Sequence, residues 1–150
     1  MSELRFEDQL LAFKVRLTQC GPMAALKLLN DRTRYRSTAL YRISHEDLHL
    51  LQVFDRFDQN RAYWQSALLL DALGRITLED GGFVTSDCRR DDRLKPLGGL
   101  IMSYCGLVLA PLGGAACGLL CHFDTDRPEM KPCELAFLRA VAPLLLDHVI

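Results

Sequence analysis

Apolar residues at Phe6, Leu10, Phe13 and Leu17 recur with the 3.6-residue period of a helix face and predict a helix over residues 3–19. Gly21-Pro22 ends it, because proline suits a helix's first turn and not its interior. Met23, Leu26 and Leu29 mark one side of a second, short helix. From Ser37 the pattern changes. The β-branched and aromatic run STALYRI (37–43) reads as a strand, Ser44-His45-Glu46-Asp47 as a turn, and LHLLQVF (48–54) as the returning strand. A helix is predicted over Trp64–Leu73, stopped by Gly74, and then a turn at Asp80-Gly81-Gly82 and a short strand Phe83–Ser86. Asp87–Lys95 is a charged loop or short helix, and Pro132–Ile150 a final helix opened by proline.

Between Pro96 and Phe123 there is no formally charged residue, a stretch long enough to cross a bilayer. It holds six of the chain's ten glycines and a central Ala-Pro-Leu-Gly-Gly break, so a buried hairpin of LIMSYCGLVL and AACGLLCHF is expected, and no membrane span. The order of elements predicts an α+β domain with a central antiparallel β-sheet.

At 150 residues the chain has the length of one domain, and 49% apolar with 25% charged residues is ordinary for a soluble globular protein. Eighteen basic against nineteen acidic residues give no basic footprint, so no nucleic-acid partner is expected. The start, MSELRFEDQLLAFKV, interleaves charge with apolar residues and does not read as a secretory signal. A cytoplasmic location is expected, with most of the six cysteines as free thiols.

The pieces TALYRI, VFDRF, FVTSDCRRDDRL, MSYCGLVL and GLLCHFD, in that order, resemble GAF domains of the small bacterial stand-alone type, from about Tyr35 to Asp126. The resemblance implies a central antiparallel sheet with N- and C-terminal helices on one face and a possible ligand pocket on the other. It also implies small-molecule binding, dimerisation or both. The chain departs from the family where a lid segment is expected. QSALLLDALGRITLEDGG (65–82) is markedly apolar, and Leu68, Leu69 and Leu70 would either close over a small ligand or fill its place.

Alternation along the hairpin separates Leu119, Cys121 and Phe123 from Leu120, His122 and Asp124. A turn centred on Gly113 sets Cys105 across from Cys121, as buried neighbours, and puts Tyr104 on His122's face. The cysteine side is the more apolar and is assigned to the terminal helices. Tyr104, His122 and Asp124 then line the pocket, Asp55 stands at its rim, and Gly106 and Gly118 leave room for a ligand of unidentified chemistry. The competing reading makes His122 a hydrogen-bonded core histidine.

No metal site is expected, since Cys117 and Cys121 on one strand are ~13 Å apart, too far for shared zinc. No catalytic residue is assigned. One branch of the family, the free-methionine-sulfoxide reductases, uses cysteines near the pocket and supplies an alternative, thiol-based function. Cys88, near Arg89, Arg90 and Arg93, is its best candidate, while Cys105, Cys117 and Cys121 read as small hydrophobes. A pure dimerisation module with a filled pocket is the second alternative.

Residues 133–150 hold thirteen apolar side chains in eighteen positions, more than one sheet-covering stripe requires. Leu144, Leu145 and Leu146 run consecutively and cannot all face one sheet as an α-helix. Leu11 and Val15 lie beside the main stripe of the first helix. A homodimer through the terminal helices is expected, with Pro143 kinking the last of them.

Overall fold

The computed structural model describes residues 5–57 and 66–150. Two helices, α1 (Phe6–Cys20) and α2 (Pro22–Asp31), lead into the strands β1 (Ser37–Ser44) and β2 (Asp47–Asp55). Helix α3 (Ala67–Asp80) precedes β3 (Gly82–Thr85), and short 3₁₀ turns cover Cys88–Arg90 and Lys95–Leu97. The hairpin β4 (Ser103–Leu109) and β5 (Gly118–Asp124) follows, then α4 (Pro132–Val141) and a 3₁₀ segment Ala142–His148. The five strands form one antiparallel sheet in the order β2-β1-β5-β4-β3.

Each face of the sheet carries its own core, as strand alternation requires. On one side Phe13, Leu17, Leu26, Leu29, Phe137, Leu138 and Leu145 pack with Leu40, Cys105, Leu107 and Leu120. On the other, Leu69, Leu70, Leu73 and Ile76 of α3 pack with Ala39, Tyr104, Leu119, Cys121 and Phe123. Among the three consecutive leucines of the apolar lid segment, Leu69 and Leu70 are buried while Leu68 is 75% exposed.

Helix α3 does not stop at Gly74. It runs on to Gly81, which terminates it in the left-handed region at φ 77°. Gly74 serves packing instead: a Cβ there would lie 2.6 Å from Leu48 Cδ1 and 3.3 Å from Leu119 Cδ1, so the helix rests directly on side chains of the sheet. The segment before Ser66, where Trp64 is expected to open this helix, lies outside the described residues.

The β1–β2 turn is a two-residue loop between paired Ser44 and Asp47, with His45 at φ 52° and Glu46 at φ 70°. Such hairpins need positive φ at both central positions and favour Asn-Gly there. Glu46→Gly is therefore expected to stabilise the fold by about 1 kcal/mol, the left-handed penalty of an L-residue less the entropy gained by the unfolded glycine. A urea midpoint unchanged or lowered in this variant would contradict the strain.

At the C-terminus the α-helix gives way to 3₁₀ geometry at Ala142-Pro143, the position where a kink is expected. A 3₁₀ helix turns by about 120° per residue. Leu145 is buried, and Leu135, Leu144 and Leu146 pack partly buried on the same core. The chain thus buries the larger apolar side chains of its last segment wholly or partly in its own core, while Cys133, Ala136 and Ile150 (82% exposed) stay outside it. That surplus does not call for a second chain, contrary to the expectation from helical periodicity alone. Arg32 ties the three terminal helices together. It donates to Gln9 Oε1 (2.8 Å) and to both carboxylate oxygens of Glu134 (2.8 and 3.1 Å), and its guanidinium lies 3.6 Å from the centre of the Phe137 ring.

Candidate functional site

The hairpin register decides where the expected ligand-binding residues go. Cys105 pairs with His122, Gly106 with Cys121 and Tyr104 with Phe123, one residue away from a turn centred on Gly113. Because side chains alternate, this slip exchanges partners between faces. His122 and Cys105 share the terminal-helix side, while Tyr104 and Cys121 share the α3 side. Tyr104 and His122 therefore lie on opposite faces of the sheet, and the expectation that they line one cavity is overturned. The assignment of the Cys121 side to the terminal helices is reversed as well. Cys105 and Cys121, although both buried, are not face-sharing neighbours.

His122 sits in a closed polar network beneath α2. Asn30, buried at the end of α2, donates through Nδ2 to Tyr35 O (3.0 Å) and to Thr38 Oγ1 (2.9 Å). Thr38 Oγ1 in turn shares a hydrogen bond of 2.6 Å with His122 Nδ1, the proton lying on one side or the other according to the ring's tautomer. The imidazole stacks on Tyr35 with ring centres 5.4 Å apart. Burial pushes its pKa down to about 3. Arg56 completes the network, donating to Asn30 Oδ1 (3.0 Å) and to the carbonyls of Asn30 and Thr33 (both 3.0 Å), and so capping the C-terminus of α2.

Asp124 and Asp55 meet through one residue at the end of the sheet. The backbone N–H of Arg36 donates to Asp124 Oδ2 (2.9 Å), and its guanidinium grips Asp55 Oδ1 (2.9 Å) and Oδ2 (3.2 Å). Asp55 Oδ1 also accepts from Phe57 N, and Asp124 Oδ1 from Asp126 N. Each of these carboxylates thus holds a chain turn in place. Asn30, Thr38 and Arg36 are not singled out by the sequence. The one available hint is a polar residue, Asn30, directly after Leu28-Leu29 at the end of α2.

On the opposite face the Tyr104 ring folds back over Gly106, in the space a Cβ of residue 106 would take. The Tyr104 hydroxyl donates to Thr77 Oγ1 (3.0 Å), which itself donates to Leu73 O (2.7 Å). The room expected at Gly106 is filled by Tyr104. Gly118 has Tyr41 O and Val149 against it, within 2.6 and 3.1 Å of a would-be Cβ, so neither glycine leaves space.

All six cysteines are free. Burial, then the nearby charges of Asp87 and Asp91, pushes the Cys88 thiol up to about 11. Cys105 and Cys121 are pushed up to about 12, in both cases mainly by burial. Arg89, whose N–H, Nε and Nη2 all bind the Asp87 carboxylate at 3.0 Å, holds that acid well below the usual carboxylate range. Of the arginines near Cys88, Arg89 and Arg90 thus pair with Asp87 and Arg93 with Asp91 and Asp80, rather than with a thiolate.

The outer face of α1 is different in character. Leu11 (59% exposed) and Val15 (43%) stand on it beside Asp8, Ala12, Arg16 and Gln19, along a shallow groove of about 560 Å³. A cleft of about 360 Å³ between α1 and α2 runs along the other flank and shares Ala12 and Arg16.

Two helical layers on a five-stranded antiparallel sheet of order 2-1-5-4-3 define a small α+β domain of a recurrent type. No protein-family model and no curated relative matches the chain. Among solved structures, it is similar to the GAF domain from Acinetobacter phosphoenolpyruvate-protein phosphotransferase, with a TM-score of 0.74 over 99% of this chain and 94% of that one at 10% identity. It is also similar to free methionine-R-sulfoxide reductase from Neisseria meningitidis in complex with its substrate (TM-score 0.68, 13% identity, 99% and 93% covered). A far-red absorbing dark state with bound biliverdin matches at TM-score 0.66 and 12% identity over 93% of this chain and 96% of that one. The chain has the GAF fold. Among the described residues, no helix is long and apolar enough to cross a membrane.

Proposed function

We propose that this GAF-fold chain is a non-catalytic, cytoplasmic sensory module that works as a homodimer through its terminal helices, α1 foremost. The observation that carries this reading is the outward face of α1, where Leu11 and Val15 stay exposed side by side, whereas the neighbouring terminal segments expose only Met23 and Ile150 among their large apolar side chains. An apolar face left open on an otherwise well-covered helical layer favours a protein partner, and two-fold pairs are the commonest assemblies. Light scattering at micromolar concentration tests it. A mass that rises with concentration from 17.0 kDa toward twice that value is expected, and a mass of 17.0 kDa at every concentration measured overturns it.

A small organic ligand is the second element of the proposal, favoured by the likeness to structures solved with substrate or biliverdin bound. Native mass spectrometry of protein isolated from its own host reads a retained ligand and the oligomer together. A thiol-based reductase is the weaker reading for this chain. Catalytic cysteines need a depressed pKa, whereas burial drives Cys88, Cys105 and Cys121 in the opposite direction.

A further inference from the structure

We propose that a second copy of this chain docks on α1 in antiparallel orientation, crossing at Ala12 and held by two reciprocal Asp8–Arg16 ion pairs. The inference rests on the self-association reading above and specifies its surface, direction and contacts.

Helical geometry supplies the frame. At 100° per residue, Asp8, Leu11, Ala12, Val15 and Gln19 fall on one stripe, on the side of α1 away from the buried Phe13 and Leu17. At about 1.5 Å rise per residue, Asp8 and Arg16 each stand about 6 Å from Ala12 along the axis, in opposite directions. A two-fold axis through Ala12 therefore sets Asp8 of each copy level with Arg16 of the other. Ala12 at the crossing has the small side chain that lets two backbones approach. Leu11 and Val15 then cover each other's exposed flanks, and the grooves beside α1 receive the partner's side chains.

The charges choose the direction. Along α1 the acids come first, at Glu7 and Asp8, and the bases later, at Lys14 and Arg16. A parallel pair would stack Asp8 on Asp8 and Arg16 on Arg16. The antiparallel pair converts both repulsions into attractions, with Arg5 falling opposite the neutral Gln19. Among the described residues neither Asp8 nor Arg16 makes an ion pair within its own chain, although ten other such pairs do form. Both charges are exposed and available to a partner. The contact face, about 22 Å by 10 Å for a 15-residue helix, is smaller than the ~800 Å² per partner of a standard stable interface. A weak, concentration-dependent dimer is therefore expected.

The test is a set of charge reversals read by analytical ultracentrifugation of the full chain, with far-UV circular dichroism confirming that each variant folds. Asp8→Arg alone and Arg16→Asp alone each place like charges at both contacts and are expected to weaken dimerisation tenfold or more at low salt. In an equimolar mixture of these two single variants, one copy carries arginine at both positions and the other carries aspartate at both. Each contact of their heterodimer again sets an arginine against an aspartate, and wild-type association is expected to return. The double variant, with the two charges exchanged, is expected to restore it as a homodimer. In 1 M salt, where the screening length is about 3 Å, the difference between wild type and single variants should shrink. Single variants that dimerise like the wild type overturn the antiparallel contact and leave self-association through another surface standing. A wild type that stays monomeric overturns both.

Discussion

Gly106→Ala is expected to destabilise the fold by about 3 kcal/mol. The added methyl would occupy the place of the Tyr104 ring, which folds over residue 106 on the same face of β4. Overpacking of this kind costs roughly 1–3 kcal/mol. Displacing the ring also breaks the bond from Tyr104 to Thr77, worth about 1 kcal/mol, in a region where both groups are fully buried. The gain in strand propensity on replacing glycine offsets only part of this. Urea unfolding of the single and double variants isolates the contact. In a Tyr104→Ala background, where the ring is gone, Gly106→Ala should cost less than about 1 kcal/mol. Equal costs in the two backgrounds would show that the conflict lies elsewhere.

Acidification should destabilise the protein through His122 well before the carboxylates titrate. The ordinary pKa of 6.5 describes the unfolded chain, and burial lowers it to about 3 in the fold. Between these values the unfolded chain holds one more proton than the folded one. Stability therefore rises with pH across this window and falls as pH drops below 6.5, by up to about 1.4 kcal/mol per pH unit. At pH 4.5 the expected loss is about 2.5 kcal/mol. Asp87, held low by Arg89, adds its own loss only below roughly pH 4. His122→Asn keeps a hydrogen-bonding partner for the Thr38 hydroxyl, as donor or acceptor, and removes the titrating ring. Its stability between pH 6.5 and 4.5 should be nearly flat. The same slope in wild type and variant would remove His122 as the source.

Strand existence was legible because its determinants are local. STALYRI and LHLLQVF carry β-branched and aromatic residues around a polar turn, and β1 and β2 form within one residue of the expected limits. The relative register of β4 and β5 was not legible. Their connection is a loop over residues 110–117 rather than a tight turn, so no turn type pins the pairing. A one-residue slip then moved Tyr104 to the face opposite His122. Counting apolar residues also misled the choice of face. A buried histidine on the terminal-helix side is costly unless bonded, and Thr38, which bonds it, and Asn30, which bonds Thr38, both lie more than eighty positions away in the chain. Gly74 reads in the sequence as a helix stop because the side chains that cross it, Leu48 and Leu119, come from other parts of the chain.

That same glycine bears on how this domain could admit a guest. Helix α3 lies against Leu48 and Leu119 with no side chain of residue 74 between them, so helix and sheet touch without a spacer at this point. A molecule entering between them must first lift the helix off those leucines, and its apparent affinity falls by the population of the lifted state. Ligand entry at this face would then be a displacement of α3, and the same motion would carry the news of binding to β3, which follows α3 after a single residue.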